Sequence, residues 1–372
     1  MFSRRSEWDA PVNRLTRAVL ERCDRGDEIL DLTISNPTRA GIRYPDDELS
    51  EVMARAARAP YDPQPLGIRS ARESVARELG ADSEDIVITA STSEAYSFLF
   101  KLLTDPGDEI LTAIPSYPLL EHLAALELLQ LKHFPLEFHR RWELHASRVA
   151  EHLTGRTRAV VLVSPNNPTG SYVRADELLT MAALRKPLIV DEVFREYAFG
   201  DVPPSSWRDD VLTFSLGGLS KSAGLPHYKL GWIRLSGPEA EKQKARHALE
   251  LIADNFLSVS TPVQCAVPEL LRIGAAIRKE IKDRTRANLQ MLSGLDGVVR
   301  ALPVEGGWSA VLRVPRTRSD EDLVLELLDN GVLVQPGYFF DFESEGFIVV
   351  SLLTPQAELA EGMRRIMPVV SR

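Results

Sequence analysis

Ser215-Leu-Gly-Gly-Leu-Ser-Lys221-Ser-Ala-Gly-Leu-Pro226 carries the strongest structural signal in this chain. It places one lysine among small residues, between apolar runs at 211–214 and 230–235. This order predicts a strand, a Gly/Ser turn that presents Lys221, and then a second strand. A lysine amine forms a Schiff base with an aldehyde, and burial or a nearby cation activates it by lowering its pKa. The alternative is a solvated loop lysine, so the upstream sequence has to decide between the two.

Upstream of the lysine, short apolar runs alternate with helical patterns. The runs lie at 86–89, 109–114, 159–163, 188–190, 211–214 and 230–235, and helical periodicity falls between several of them at 94–103, 119–129 and 175–184. Near-continuous apolar strands that alternate with helices predict an α/β fold with a mostly parallel central sheet and helices on both faces.

The two ends of the chain predict a second, smaller α/β domain. Strand-like runs at 298–302, 308–314 and 347–352 interleave with helical patterns at 319–330 and 356–367, after long helical patterns at 238–256 and 262–293. An amphipathic helix at 11–23, with Pro11 near its start, can join them. We predict a large domain at 45–280 and a small domain formed by 1–44 and 281–372.

Composition narrows the class of protein. The formal net charge of −9 over 372 residues argues against a nucleic-acid partner or a membrane-surface partner. Cys23 and Cys265 form no CxxC pattern, the N-terminus lacks the apolar core of a signal peptide, and the apolar runs are too short to span a bilayer. The seven histidines show no metal-ligand spacing. These features predict a cytoplasmic protein that uses no metal.

Polar residues follow the predicted strands at the sheet edge where ligands bind in open parallel sheets. Thr92 and Ser93 open a helix after the run at 86–89. Hydroxyls and backbone N–H groups at a helix N-terminus form either an anion site or an ordinary N-cap. Tyr117 lies between two prolines after the run at 109–114, where it either stacks on a flat ring or packs against its neighbours.

Two more strand ends carry an amide and a carboxylate. Asn167 lies in Ser164-Pro-Asn-Asn-Pro-Thr-Gly170, where it is either a positioned donor or simple turn chemistry. Asp191 either caps its strand or, as an anion, keeps a ring nitrogen protonated. An anion site, an aromatic ring, an amide, a carboxylate and the Lys221 amine at successive strand ends describe a pocket for pyridoxal phosphate (PLP).

In their order and their residue types, these motifs resemble those of the class I and II aminotransferases, the fold type I PLP-dependent enzymes, over nearly the whole chain. Residues 167–170 match the NPTG motif of that family. The resemblance implies that Lys221 forms the internal aldimine with PLP. It also implies that Asp191 pairs with the pyridine nitrogen and that Asn167 donates to the ring oxygen.

The resemblance assigns the remaining cofactor contacts. Tyr117 would stack on the ring, and Thr92, Ser93 and Ser220 would hold the phosphate. Tyr61 matches a family tyrosine that reaches the phosphate bound by a neighbouring subunit, which implies a homodimer.

The chain departs from the family pattern at four positions. Phe194 stands where a tyrosine hydroxyl is usual near the ring oxygen, and Gly218 replaces a phosphate-binding serine. Lys229 replaces an arginine at the phosphate, so it keeps the charge but loses the bidentate geometry. Val349 occupies the place of the arginine that grips the substrate α-carboxylate in a two-pronged ion pair.

Two explanations for Val349 stay open. Another basic group takes the role, and Arg43, in a loop that borders the substrate cleft in this family, is the first candidate, with Arg195 the second. Asn36, in the turn before that loop, is predicted to bind substrate as well. Alternatively, the substrate lacks a conventional α-carboxylate and is an amine, a modified amino acid or a carrier-bound one.

We therefore predict a homodimeric PLP-dependent aminotransferase that moves an amino group from an amino acid or amine donor to an oxo acid. A PLP-dependent lyase or decarboxylase on the same fold is the alternative enzyme. A PLP-binding regulator is the alternative outside catalysis, although such regulators carry an added DNA-binding segment and this chain is acidic.

Overall fold

The structure is a computed structural model that describes residues 3, 5, 12–203, 205–295 and 297–371. Pro11, the predicted start of the first helix, lies outside the described residues. The first helix begins at Arg14, after Asn13, whose side chain accepts a hydrogen bond of 2.7 Å from the backbone N–H of Thr16. This N-cap satisfies one of the donors that a helix start leaves without a partner.

The helices alternate with strands through most of the described chain. The helices are α1 (Arg14–Arg25), α2 (Asp46–Ala56), α3 (Arg69–Leu79), α4 (Thr92–Leu103), α5 (Leu119–Leu126), α6 (Ala146–His152), α7 (Ala175–Ala182), α8 (Leu219–Ser222), α9 (Glu239–Asp254), α10 (Thr261–Ser293), α11 (Asp320–Asp329) and α12 (Gln356–Val370). The strands are β1 (Leu30–Asp31), β2 (Ile86–Thr89), β3 (Glu109–Ile114), β4 (Gln130–Pro135), β5 (Glu137–Phe138), β6 (Trp142–Glu143), β7 (Thr157–Val163), β8 (Leu188–Asp191), β9 (Thr213–Gly218), β10 (Gly231–Ser236), β11 (Arg300–Ala301), β12 (Ser309–Arg313), β13 (Val332–Leu333), β14 (Gln335–Pro336) and β15 (Phe347–Ser351).

Seven strands form the central sheet in the order β2-β10-β9-β8-β7-β3-β4. Only β10 is antiparallel to its neighbours, so the predicted α/β class with a mostly parallel sheet is confirmed. Side chains alternate between the two faces. Ile86 and Ile88 pack in the cluster that contains α3 and α10 residues, and Val87 packs in the cluster that contains α4 and α9 residues. Burial on both faces is why these strands read as continuous apolar runs.

One strand of this sheet, β4, was not predicted from the sequence. β4 lies at the sheet edge beside β3, and its residues alternate between exposed and more buried positions. An edge strand that meets water on one face needs polar residues there, so its apolar signal is weak.

The lysine segment differs from the predicted Gly/Ser turn. β9 continues through Gly217 and Gly218, and Lys221 lies in the short helix α8. These glycines belong to the strand because bulky neighbours lie against them: a Cβ on Gly217 would clash with the indole ring of Trp232. Small residues in this segment therefore permit close packing beside an antiparallel strand.

A second sheet has the strand order β11-β12-β15-β14, and β1 pairs with β13 in a separate two-stranded sheet. Leu15 of α1 packs in the same apolar cluster as residues of α11, α12 and β15. The long helix α10 contributes residues to this cluster and to the one beneath the central sheet. The domain division at residues 44 and 280 stays a prediction, and residue 280 falls inside α10.

No helix among the described residues is both long and apolar enough to cross a membrane.

Helix α10 lies directly against the lysine segment at Gly274. A Cβ built on Gly274 would clash with the Ala223 Cβ and would lie 2.9 Å from the Ala223 Cα. We expect Gly274→Val to lower the free energy of unfolding by about 1–3 kcal/mol, because backbone has to move to admit the side chain. Denaturant unfolding measures the change.

The matched control is Ala275→Val at the next position, which is exposed. It carries only the helix propensity difference, roughly 0.5 kcal/mol. Equal destabilisation by the two variants would show that this contact does not constrain the lysine segment.

Candidate active site

The polar ends of the central strands surround one cleft of about 230 Å³. Five residues predicted from the sequence line it together: Thr92, Tyr117, Asn167, Asp191 and Lys221. They come from segments that follow or end β2, β3, β7, β8 and β9, which are brought to the same edge by the sheet order. Ligand sites of open parallel sheets occupy this position.

Lys221 lies in the first turn after β9, where aromatic rings surround its amine. Its Nζ is 4.8 Å from the ring centroid of Trp308 and 5.6 Å from that of Phe194. The Tyr197 hydroxyl donates a 2.6 Å hydrogen bond to the Lys221 carbonyl and fixes the backbone of the turn. Burial lowers the pKa of Lys221 to about 8, and the carboxylate of Asp191 opposes that shift. A larger neutral fraction at physiological pH makes the amine a better nucleophile and base.

Asp191 ends β8 as a buried carboxylate. Its Oδ2 accepts a hydrogen bond of 3.0 Å from the Tyr96 hydroxyl, and its Oδ1 accepts one of 3.0 Å from the Val193 backbone N–H. Burial raises the pKa of Asp191 to about 6, although both hydrogen bonds act in the opposite direction. These two neutral partners leave the ionised form underpaired, so a cation in the cleft would be bound strongly.

Sequence reasoning missed Tyr96, which is buried and lines the cleft. The available signal was its spacing, because Tyr96 lies four residues after Thr92 and so shares its face of α4. An isolated helical tyrosine usually indicates core packing, and only the tertiary structure brings its hydroxyl to Asp191.

The two asparagines before Pro168 divide their tasks. The buried Asn166 donates hydrogen bonds to the Pro115 carbonyl at 2.8 Å and to Thr169 Oγ1 at 2.9 Å, which holds the turn. Asn167 lines the cleft, and its amide oxygen accepts a 3.2 Å hydrogen bond from Ser309. Its amide NH₂ is then the half of the group that is suited to donate to a ligand.

The helix start at α4 combines an N-cap with a free approach for an anion. Ser91 is the N-cap, and its Oγ accepts a hydrogen bond from the Glu94 backbone N–H at 3.2 Å. Thr92 is the first helical residue and lines the cleft. Gly231 of β10 lies close to it, since a Cβ there would be 3.1 Å from the Thr92 nitrogen. The N-cap of this segment is thus observed at Ser91, and the anion site stays a prediction.

Six predicted residues do not line the cleft in this single chain. Ser93 and Ser220 are half-buried next to lining residues, and Lys229 is exposed with a left-handed backbone (φ 49°). Tyr61 is 73% exposed. The remaining two are Asn36 and Arg43.

Arg43 and Asn36 are held by local partners. The Arg43 side chain is 90% exposed, and its Nε lies 3.4 Å from Glu280 Oε2. The Asn36 side chain caps its own turn by accepting from the Thr38 N–H. Arg195, the second candidate, pairs with Glu196 and lies outside the residues that line the cleft.

Besides Lys229, three departures from the family pattern have defined contacts in the structure. Phe194 packs edge-to-face against Trp308 at 5.2 Å between centroids. Gly218 lies opposite Gly231, and a Cβ on it would lie 3.1 Å from the Leu230 carbonyl oxygen. Val349 is buried in an apolar cluster with Val311, Phe340 and the aromatic rings around them.

One group with metal-ligand chemistry lies outside the cleft. Ligand atoms of Glu137, His139 and His145 lie within 4.8 Å of one another on the surface near the β5–β6 hairpin. Glu137 also accepts a 2.6 Å hydrogen bond from Arg148, so ion pairing accounts for the cluster. The prediction that this protein uses no metal stays a prediction.

The sequence as a whole matches known proteins. The family described as aminotransferase class I and II matches residues 33–366. The chain belongs to this family. A glutamate-pyruvate aminotransferase from Haemophilus influenzae is 26% identical over 92% of this chain and 91% of its own length. An alanine aminotransferase from Mycobacterium tuberculosis is 26% identical over 92% of this chain and 85% of its length.

Solved structures agree in fold. An alanine aminotransferase from Pyrococcus furiosus superposes with a TM-score of 0.88 over the full length of both chains at 24% identity. A tyrosine aminotransferase from Leishmania infantum gives 0.83 over 99% of both chains at 22% identity. The chain thus has the fold of these aminotransferases. Because it belongs to the class I and II family, the protein is a PLP-dependent aminotransferase.

The residues of the cleft fit PLP. The underpaired Asp191 suits a protonated pyridine nitrogen, the Lys221 amine suits the aldehyde, and the N–H groups that open α4 suit the phosphate. Asn167 would hold the ring oxygen, and Tyr117, which is half exposed in the cleft, offers a ring face.

Asp191 should weaken the cofactor-free protein at neutral pH. Its pKa is raised to about 6 from 3.8, so its contribution to stability is fully present below pH 3.8 and is lost as pH rises through 6. Asp191→Asn removes this dependence. We expect the free energy of unfolding of the variant apoprotein, relative to wild type, to rise by roughly 2 kcal/mol between pH 4.5 and pH 8.

Denaturant unfolding of both apoproteins at the two pH values measures this difference. Asp201→Asn, at an exposed position, is the control and should change by less than about 0.5 kcal/mol at either pH. A difference between wild type and Asp191→Asn that does not depend on pH would contradict the buried, underpaired carboxylate.

Proposed function

We propose that Lys221 holds the PLP aldehyde and moves the substrate proton in this aminotransferase. The observation that supports this most is the placement of a lysine amine of lowered pKa and a buried carboxylate in one cleft. In this proposal Asp191 binds the ring nitrogen, Asn167 donates to the ring oxygen and Tyr117 covers one ring face.

Lys221 serves as both base and acid. PLP, when bound, supplies an electron sink that acidifies the hydrogen on the amine-bearing carbon. In its neutral form, the Nζ of Lys221 would take that proton and return it to the carbon on the other side of the amino nitrogen. A pKa near 8 suits both tasks, since the amine is partly neutral at physiological pH and still holds a proton readily. Trp308 and Phe194 limit the positions that the amine reaches.

Phosphate binding completes the proposal for the cofactor. The N-terminus of α4 with Thr92 and Ser93 supplies N–H and hydroxyl donors, and Ser220 adds a hydroxyl next to Lys221. Lys229 supplies a positive charge in the loop that follows α8. Because an ammonium carries no paired planar donors, the phosphate is held there by charge rather than by a two-pronged contact.

The reaction moves an amino group from an amino acid or amine donor to an oxo acid. The matched relatives bear names that specify alanine, glutamate and pyruvate, which supports small amino and oxo acids as reactants. We include a homodimer in this proposal, because Tyr61 is exposed. A residue that completes the site of a neighbouring subunit would be exposed in a single chain. Two free cysteines and the acidic charge support a cytoplasmic location.

Lys221→Ala should abolish covalent capture of PLP. Borohydride reduction of the wild-type holoenzyme followed by peptide mapping should label position 221, and the variant should carry no label. Transamination should fall at least about a thousandfold, because the variant lacks the proton-transfer group.

Lys244→Ala, on the exposed side of α9, is the control and should retain both label and activity. Label at another lysine in the wild-type enzyme would overturn the assignment of Lys221. Release of ammonia with no amino group transferred to an oxo acid would favour the lyase.

Tyr61→Phe tests the shared site. We expect the PLP dissociation constant to rise about tenfold or more, because a hydrogen bond to a charged phosphate is lost. Light scattering should still give the mass of two chains. Tyr338→Phe is the control, at a partly exposed tyrosine outside the residues that line the cleft. An unchanged dissociation constant in Tyr61→Phe would exclude Tyr61 from the phosphate site.

A further inference from the structure

Six residues that line the cleft have no cofactor contact in the proposed function. We call them the substrate half: Thr33, Ser35, Trp308, Ser309, Gln335 and Phe340. All six are neutral. Among the described residues that line the whole cleft, Lys221 is the one cation, and it is engaged with the cofactor in the proposed function.

The small sheet places Gln335 beside Val349. Val311, Val349 and Gln335 are direct partners across β12, β15 and β14, so they form one row across the sheet. Side chains of such a row project from the same face. Val311 and Val349 pack with Phe340, and Gln335 lines the cleft. An amide thus lies one strand away from the position at which the family carries its arginine.

Two of the three hydroxyls of the substrate half have acceptors within the protein. Thr33 Oγ1 donates to Asp31 Oδ1 at 2.6 Å, and Ser309 Oγ donates to Asn167 Oδ1 at 3.2 Å. Gln335 adds a carboxamide, whose NH₂ donor and carbonyl acceptor are separate groups. Together with the Trp308 indole N–H, which has no hydrogen-bond partner among the described residues, it is suited to form new hydrogen bonds with a substrate.

Two arginines, Arg43 and Arg284, have partners outside the cleft. Arg43 pairs with Glu280, and Arg284 of α10 donates to the carbonyls of Ala40 and Leu353 at 3.1 and 3.2 Å. A carboxylate in the substrate half would lose water and gain neutral partners, which is unfavourable for an ion. A hydroxyl or carboxamide would exchange its water for the Gln335 amide at little net loss.

We propose that the preferred amino donor is neutral next to its amine, bearing a hydroxyl or carboxamide that Gln335 recognises in place of an α-carboxylate. This inference rests on the proposed function. An oxo acid acceptor uses the same substrate half and binds weakly there.

The half-reaction is an ordinary exchange of amine for carbonyl. The carbon–nitrogen and carbon–hydrogen bonds of the donor carbon break, and the amino group remains with the cofactor together with the electron pair and the proton. Water supplies the oxygen of the carbonyl product. An oxo acid then takes up the amino group, the electron pair and the proton, and water is released.

Leucine, leucinol and leucinamide form a matched set that differs only in the group beside the amine. Each is mixed with the PLP-loaded enzyme, and the cofactor spectrum gives the rate of the single half-reaction. We expect leucinol and leucinamide to react at least about tenfold more efficiently than leucine, the ratio expected for about one lost charge-assisted contact. Equal or faster reaction of leucine overturns the inference.

Binding without reaction is a second readout. Calorimetry with 4-methylpentanamide and 4-methylpentanoate, which carry no amine, compares a neutral group with an anion in the same cleft. The amide should bind more tightly, and tighter binding of the anion overturns the inference. In that case Arg43→Ala identifies whether Arg43 supplies the charge.

Variants at position 335 assign the recognition to this residue. Gln335→Met keeps the size, removes the hydrogen bonds and should weaken leucinol binding about tenfold without changing its limiting rate. Gln335→Arg should raise the efficiency with leucine at least about tenfold, because it supplies the missing charged partner. If Gln335→Met leaves leucinol binding unchanged, Gln335 is not the recognition group.

Failure of the inference is distinct from failure of the proposed function. If borohydride labels Lys221 but neither neutral donor reacts, the proposed donor class is wrong and the cofactor site stands. If Lys221 takes no label, the proposed function itself fails.

Discussion

The site depends on two buried groups of opposite charge, Asp191 and Lys221, which share one cleft. Burial raises the pKa of Asp191 and lowers the pKa of Lys221. Removal from water favours the neutral forms of both Asp191 and Lys221, and their mutual attraction only partly offsets this. The surrounding fold tolerates the cost because Tyr96 and the Val193 N–H support the carboxylate. A destabilising pair of this kind is typical of a site that a cationic, carbonyl-bearing ligand completes.

Two of the departures from the family pattern, Phe194 and Val349, lie among apolar side chains. Phe194 and Trp308 present aromatic surface to the Lys221 amine, and Val349 belongs to an apolar cluster that includes Phe340. Apolar residues have replaced polar ones where their neighbours are also apolar. Asp191 and Lys221 supply the charges of the cleft, and the six residues of the substrate half are neutral.

The strands of the central sheet were predictable because each is buried on both faces and is therefore apolar throughout. The runs at 86–89 and 109–114 coincide with β2 and β3. The edge strand β4 was missed because half of it meets water. The sequence run ended at residue 214, whereas β9 continues to Gly218. Gly217 belongs to the strand because it pairs with Trp232 of β10, and its local preference for a turn does not decide its conformation. Arg43 stays a prediction from its loop, and its ion pair with Glu280 joins residues that are far apart in the sequence.

The sequence by itself determined the fold class, the family and five residues that share the cleft. It could do so because buried strands and the polar residues at their ends produce local sequence patterns. Only the tertiary structure decided that Tyr96 supports Asp191, that Gln335 lies beside Val349, and that Arg43 points to solvent. Those contacts join residues from separate elements of the chain. Such contacts depend on the packing and the register between elements, which a local sequence pattern does not predict.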